Sequence, residues 1–279
     1  MGDARSDAFE IDAPEGRIHG RQWIPAHLVS TIPIILLHDS LGSVDLWRDF
    51  PQRLSDSLAR SVIAYDRLGF GKSGQRTGVP SPGFIEEEAT TYFPLVKKQL
   101  SLTAYILFGH SVGGAMSINI AARDAACAAV ITESSQAFVE DRTIAGITAA
   151  KQAFEQAGQI ERLRKWHGDK AQWVLQAWTD VWLSAEFADW SLAESIGNVT
   201  CPVLAIHGDR DEYGSRAFPE FIAGRAGGVS ELMMLHDCGH MPHKERPQAV
   251  IEAVRTFLTK HVANRGDGQE TACRTGGCG

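Results

Sequence analysis

The chain has 279 residues, long enough for one large α/β domain with an insertion or for two small domains. Its 27 lysines and arginines against 34 acidic residues give a net charge of −7, which removes any electrostatic reason to expect a nucleic-acid partner. The opening "MGDARSDAFEIDAPEG" lacks the apolar core of a signal peptide, and no window reaches the roughly 18 consecutive apolar residues of a membrane span. The expectation is a soluble cytoplasmic protein without a membrane partner.

Residues 8 to 24 alternate weakly in polarity and predict an antiparallel ribbon at one sheet edge. From residue 33 onward short apolar runs, "PIILLHD", "SVIAYDR", "TAYILFGH", "ACAAVITES", "CPVLAIHGD" and "ELMMLHD", alternate with helical patterns near 46 to 59, 86 to 100, 113 to 124, 215 to 226 and 246 to 262. That alternation predicts β-α-β units in an open, mostly parallel sheet flanked by helices. Between residues 136 and 198 no strand-like run occurs, so a helical cap is expected after the sixth strand, with 1 to 135 and 199 to 262 forming the core. Five of the seven tryptophans fall there, Trp166, Trp173, Trp178, Trp182 and Trp190. They either build the insertion's own core or line an apolar pocket above the sheet.

The N-terminal Met1, Gly2 and Ser6 satisfy a loose myristoylation pattern, but no basic cluster follows to supply a second membrane signal. Cys127, Cys201 and Cys238 sit in apolar segments as small hydrophobes would. Cys273 and Cys278 lie in a Gly-rich tail, 263 to 279, whose composition predicts disorder; two thiols fall short of the four ligands of a structural zinc site.

Ligands of open α/β sheets bind beyond the carboxyl ends of the strands. At one such end, "LFGHSVGG" places Ser111 in a strand-turn-helix context, with Gly109 and Gly113 small enough for a strained turn and a helix N-terminus beside it. Two later strand ends carry "GDRD" and "LHDCGHMPHKERP". On these segments the chain resembles the α/β-hydrolase superfamily from about residue 8 to 262, in which the nucleophile, acid and base occur in the order Ser, Asp, His.

The resemblance implies Ser111 as nucleophile, Asp211 as acid and His240 as base, and gives Asp66 in "YDRLGFGKSG" a structural part. It implies backbone oxyanion donors at Ser40 and Val112. Here "LLHDSLG" departs from the family's usual His-Gly: Asp39 either holds an Asx turn or brings a carboxylate to the pocket mouth. Asp209 is expected to hold its own turn, with the part of triad acid as its alternative; His236 is expected to point into or across the sheet and His243 to cap or buttress the following helix, with the part of base as their alternative; His38 and His207 are expected to be hydrogen-bonded structural residues. No histidine spacing suggests a metal site.

The implied reaction is acyl transfer through an acyl-enzyme with no cofactor and no metal. A serine at position 111 sets aside the dehalogenase and epoxide-hydrolase branches, which need a carboxylate there. The expected substrate is a small or medium apolar ester or lactone seated against Asp39, Trp178 and Trp182. Thioester or carbon–carbon hydrolysis, perhydrolysis, and ligand binding without catalysis are the alternatives.

Overall fold

A computed structural model describes residues 4–262. The myristoylation pattern's Met1 and Gly2, and the tail with Cys273 and Cys278, lie outside these residues. The strands are β1 (Arg5–Ala13), β2 (Gly16–Ile24), β3 (Ser30–Leu37), β4 (Arg60–Tyr65), β5 (Tyr105–His110), β6 (Cys127–Glu133), β7 (Val203–Gly208) and β8 (Ser230–Leu235). They form one sheet in the order β1-β2-β4-β3-β5-β6-β7-β8. The expected ribbon is there at the edge: β1 and β2 pair antiparallel, β2 joins β4 antiparallel, and all later pairings are parallel.

The helices are α1 (Phe50–Leu58), α2 (Phe84–Glu87), α3 (Phe93–Gln99), α4 (Val112–Ala121), α5 (Asp141–Phe154), α6 (Gln159–His167), α7 (Ala171–Trp182), α8 (Ala193–Ile196), α9 (Ala217–Arg225), α10 (Pro242–Glu245) and α11 (Pro247–His261). Where one helix was expected over 86 to 100, α2 and α3 are separated by a π-helical turn, Glu88–Tyr92. Such an extra residue per turn rotates the side chains that follow it and recurs at functional sites.

Both faces of the parallel strands are covered, because adjacent residues point to opposite sides. Ile34, Leu36, Ile106, Phe108, Ile131 and Leu204 pack with α1 and α11, while Ile35, Leu37, Leu107, Val130, Val203 and Ala205 pack with α3 and α4. Each of these side chains larger than alanine contributes about 1.5–3 kcal/mol when fully buried.

Between β6 and β7 the chain is helical from α5 to α8, apart from the Phe138–Ser191 bridge. The sequence runs out of β6 at Glu133 and enters β7 at Val203, so the insertion leaves and rejoins neighbouring strands. His167, at the end of α6, ties it to the core: Gly71 N–H donates to its Nδ1 at 2.9 Å, and its Nε2 bonds the Leu41 carbonyl at 3.0 Å. Trp173 Nε1 donates to the Gly78 carbonyl at 2.6 Å.

Candidate active site

The chain changes direction across the sheet between β3, whose successor β4 lies on one side, and β5 on the other. Loops after these strands diverge and leave a crevice. The register pairs Leu37 with Gly109 and His110 with Glu133, so the loop carrying Ser40 and the turn carrying Ser111 flank that crevice.

Ser111 stands between β5 and α4 with φ 56° and ψ −126°, a backbone region that side chains rarely adopt and that costs of order 1–3 kcal/mol. The turn is held by Ser111 N–H to the Glu133 carbonyl and Gly114 N–H to the Ser111 carbonyl, each 2.8 Å. A Cβ at Gly109 would lie 2.1 Å from the Gly113 carbonyl oxygen, and one at Gly113 would lie 2.2 Å from the Leu37 oxygen. No larger residue fits either position without moving backbone. Val112 opens α4, where the first N–H groups lack intrahelical acceptors.

Asp211 and His240 meet after β7 and β8. His240 Nδ1 is 2.9 Å from both Asp211 carboxylate oxygens, and Tyr213 N–H donates to Oδ1 at 2.8 Å. Burial opposes ionisation of Asp211, but the charge and hydrogen bond of His240, aided by His207, win and keep its pKa below the usual carboxylate range. Nδ1 therefore carries the proton toward Asp211, leaving Nε2 as the acceptor. Ser111 Oγ donates to Gln136 Oε1 at 3.3 Å and lies 3.2 Å from Gln136 Nε2, which can donate to it. Gln136 is buried, just past β6, and nothing in its sequence neighbourhood marked it.

The remaining polar residues divide between expectation and correction. Asp39 Oδ1 accepts the Leu41 N–H at 2.8 Å, the Asx turn anticipated as one of two readings. Its other oxygen lies 3.2 Å from His110 Nδ1, and Asp39 lines a small void with His38, Trp47 and His243, not the cavity that Trp178 and Trp182 line. Burial works against both charges of this pair, yet their mutual hydrogen bond raises the His110 pKa and holds Asp39 well below the usual carboxylate range. His110 Nε2 donates to the His240 carbonyl at 2.8 Å, so the pair also anchors the loop that carries His240.

His236 does not enter the sheet. It is exposed, and its Nδ1 is 2.6 Å from Asp209 Oδ2, because β8 ends at Leu235 and the chain turns outward there. Asp209 also accepts Cys238 N–H at 3.4 Å, so it ties two loops together and does not cap its own turn alone. His243, on α10, is buried against Trp47 and His110 with Nδ1 2.6 Å from Glu133. His38 bonds the Asp39 carbonyl through Nδ1 at 2.7 Å and accepts Arg67 N–H at Nε2 at 3.1 Å. His207 Nε2 is 3.3 Å from both the Gly214 carbonyl and Asp211 Oδ2. Asp66 is buried and accepts the N–H groups of Val44 and Lys72 at 2.6 and 2.8 Å, a structural clasp.

His110, Glu133 and His243 offer ligand atoms within 4.8 Å of one another, a grouping that no spacing along the chain revealed. Asp39 and the His240 carbonyl already occupy both nitrogens of His110, and His243 Nδ1 is held by Glu133. Apart from Glu133 Oε1, which is buried without a hydrogen-bond partner, these groups are joined in one buried hydrogen-bond network.

A cavity beside Ser40 is bordered by Arg67, Phe70, Met116, Trp178 and Trp182 among others, with Ser111 and His240 outside its lining. Trp182 is 2% exposed and packs edge-on against Phe187 and Trp190, so it also belongs to the insertion's core. Trp178 meets the Tyr213 ring edge-on, and Tyr213 in turn packs on His240 at 4.8 Å.

Residues 34–253 match the model of the Alpha/beta hydrolase family. Over 82 residues the chain is 33% identical to the (Lyso)-N-acylphosphatidylethanolamine lipase of Bos taurus, covering 29% of this chain and 23% of that lipase, so it spans under a quarter of that relative's length. It is 21% identical over 271 residues to the Proline iminopeptidase of Lactobacillus crispatus (strain ST1), covering 82% and 90% of the two chains. Among solved structures, the enol-lactonase from Burkholderia xenovorans LB400 superposes with a TM-score of 0.69 at 20% identity, over 90% of this chain and 100% of that one. At such identity the likeness speaks for the fold.

Proposed function

The chain belongs to the alpha/beta hydrolase family, and from that footing we propose that it cleaves carboxylic esters or lactones through Ser111, His240 and Asp211. The observation that carries the reading is the symmetric seat of His240 Nδ1 on Asp211, in one crevice with a serine held in a strained turn. The Ser111 hydroxyl turns from Gln136 to His240 Nε2, which takes its proton as Oγ attacks the acyl carbon. Negative charge then gathers on the carbonyl oxygen and is received by the amides of Ser40 and Val112, either of which is worth about 10²- to 10³-fold in rate. The imidazolium returns its proton to the leaving alkoxide, and water deacylates the serine by the same steps in reverse. The helices between β6 and β7 act as a cap, with Trp178 and Trp182 facing the substrate. The known relatives include a lipase, an iminopeptidase and an enol-lactonase by name, which supports acyl transfer and leaves the leaving group open.

The test is a burst of p-nitrophenol from p-nitrophenyl acetate, together with peptide mapping after an organophosphonate. The expected result is one added phosphonyl mass on the peptide carrying Ser111, and loss of turnover by several powers of ten in Ser111→Ala. A label on another residue, or an undiminished rate in the variant, refutes the proposal.

A further inference from the structure

One wall of the cavity beside Ser40 is not what an apolar acyl group requires. Arg67, 5% exposed, lines it next to Phe70, whose ring lies 4.2 Å from the guanidinium carbon. Its Nη2 donates to the Asp39 carbonyl at 2.8 Å, while its Nε is buried without a partner. Among the described residues no carboxylate oxygen comes within 4.0 Å of this guanidinium. The neighbouring charges are taken: Arg76 is paired with Glu87 at 2.6 Å, and Glu88 accepts the Tyr65 hydroxyl at 2.6 Å. Glu88, carried inward by the π-helical turn, lines the same cavity and is the strongest charge acting in favour of Arg67, but burial raises its pKa, which weakens it as a counter-ion.

A guanidinium cannot shed its proton, so a buried one without a carboxylate is costly until an anion arrives. The hydrogen bond of Arg67 to the residue before Ser40 also couples the cation directly to the loop that carries the oxyanion donor. We propose that Arg67 is a substrate subsite for a free carboxylate, so that the ester or lactone hydrolysed bears a second, unesterified acid group at the end of a short acyl chain. The inference rests on the hydrolase reading above and narrows its substrate class. A carboxylate matches the planar guanidinium edge in a way that a neutral acyl chain does not. Trp178 and Trp182 line the same cavity and give it an apolar side.

The experiment compares kcat/KM for p-nitrophenyl hemisuccinate with that for its neutral methyl ester, in wild type, Arg67→Gln and Arg67→Lys. In parallel, tryptophan fluorescence follows monomethyl succinate binding to Ser111→Ala and to the Ser111→Ala, Arg67→Gln double variant. Wild type should favour the anionic ester by about tenfold to a hundredfold, the scale of one hydrogen-bonded contact to a charged group. Arg67→Gln should abolish that preference, Arg67→Lys should keep part of it, and saturable probe binding should vanish only in the double variant. A wild-type preference for the neutral ester, or equal losses on both esters in the variants, overturns the subsite and leaves Arg67 as a clasp on Asp39. If Arg67→Gln does not fold, the wild-type ratio and Arg67→Lys decide alone. Arg67-dependent probe binding with no turnover of either ester refutes the hydrolase reading and sustains the subsite. Turnover without discrimination and without probe binding does the reverse.

Discussion

His167 gives the insertion an acid-sensitive tie to the core. Its Nδ1 must keep a lone pair to accept Gly71 N–H while Nε2–H serves the Leu41 carbonyl, so the ring is bound in its neutral form. Burial pushes its pKa down from 6.5 to about 4, helped by the Lys170 and Arg67 charges and resisted by the Leu41 carbonyl and Asp39. A lowered histidine pKa means that the folded form binds fewer protons. Its stabilisation is complete above pH 6.5 and is lost as the pH falls toward 4. The drop corresponds to about 3 kcal/mol, or roughly 6–12 °C in Tm for a chain of this size.

Asp66 titrates in the same range with the opposite sign. Burial, opposed by its bonds from the Lys72 and Val44 amides, raises its pKa to about 6, so its contribution is full below 3.8 and is lost as the pH rises through 6. A wild-type curve alone therefore mixes two opposing effects. His167→Gln, whose amide offers a donor and an acceptor but never charges, isolates the histidine: Tm of both proteins is measured from pH 7.5 to 4. The wild type should lose about 3 kcal/mol relative to the variant between 6.5 and 4, since shared groups cancel in the difference. Parallel curves would refute the neutral clasp.

Asp211→Asn should lower kcat about 10⁴-fold with the fold intact, because an amide favours the wrong tautomer of His240. Asp209→Asn, in contact with exposed His236, should leave turnover near wild type and act mainly on Tm; steady-state kinetics and calorimetry check both. Trp178→Ala should raise KM for bulky esters over acetate esters by a discrimination of roughly 10- to 200-fold, whereas Trp182→Ala should also depress Tm, since only Trp182 is fully inside the insertion's core. Asp39→Ala should cost about 3–5 kcal/mol by denaturant titration, because it strands His110 inside the protein and loosens the His240 loop with it.

The elements and their order were legible because their signals are local. Apolar runs of strand length, helical spacing between them and the absence of such runs from 136 to 198 are properties of neighbouring residues, and α4, β5 and the ribbon of β1 and β2 fall where those patterns stand. Gly109 and Gly113 were legible for the same reason, since a strand-turn-helix corner leaves no room for a Cβ. The break of one expected helix into α2, a π-helical turn and α3 was not, because an inserted residue per turn leaves the apolar pattern nearly unchanged. What only the tertiary structure decided is which charges meet. Asp39 and His110 are 71 residues apart, Glu133 and His243 are 110 apart, and Arg67 shares a cavity with tryptophans from the insertion. The register of β3 and β5 sets the first pairing, the placement of α10 sets the second, and insertion packing sets the third. For a polar side chain, burial and partner determine charge state, and neither is a property of its own segment.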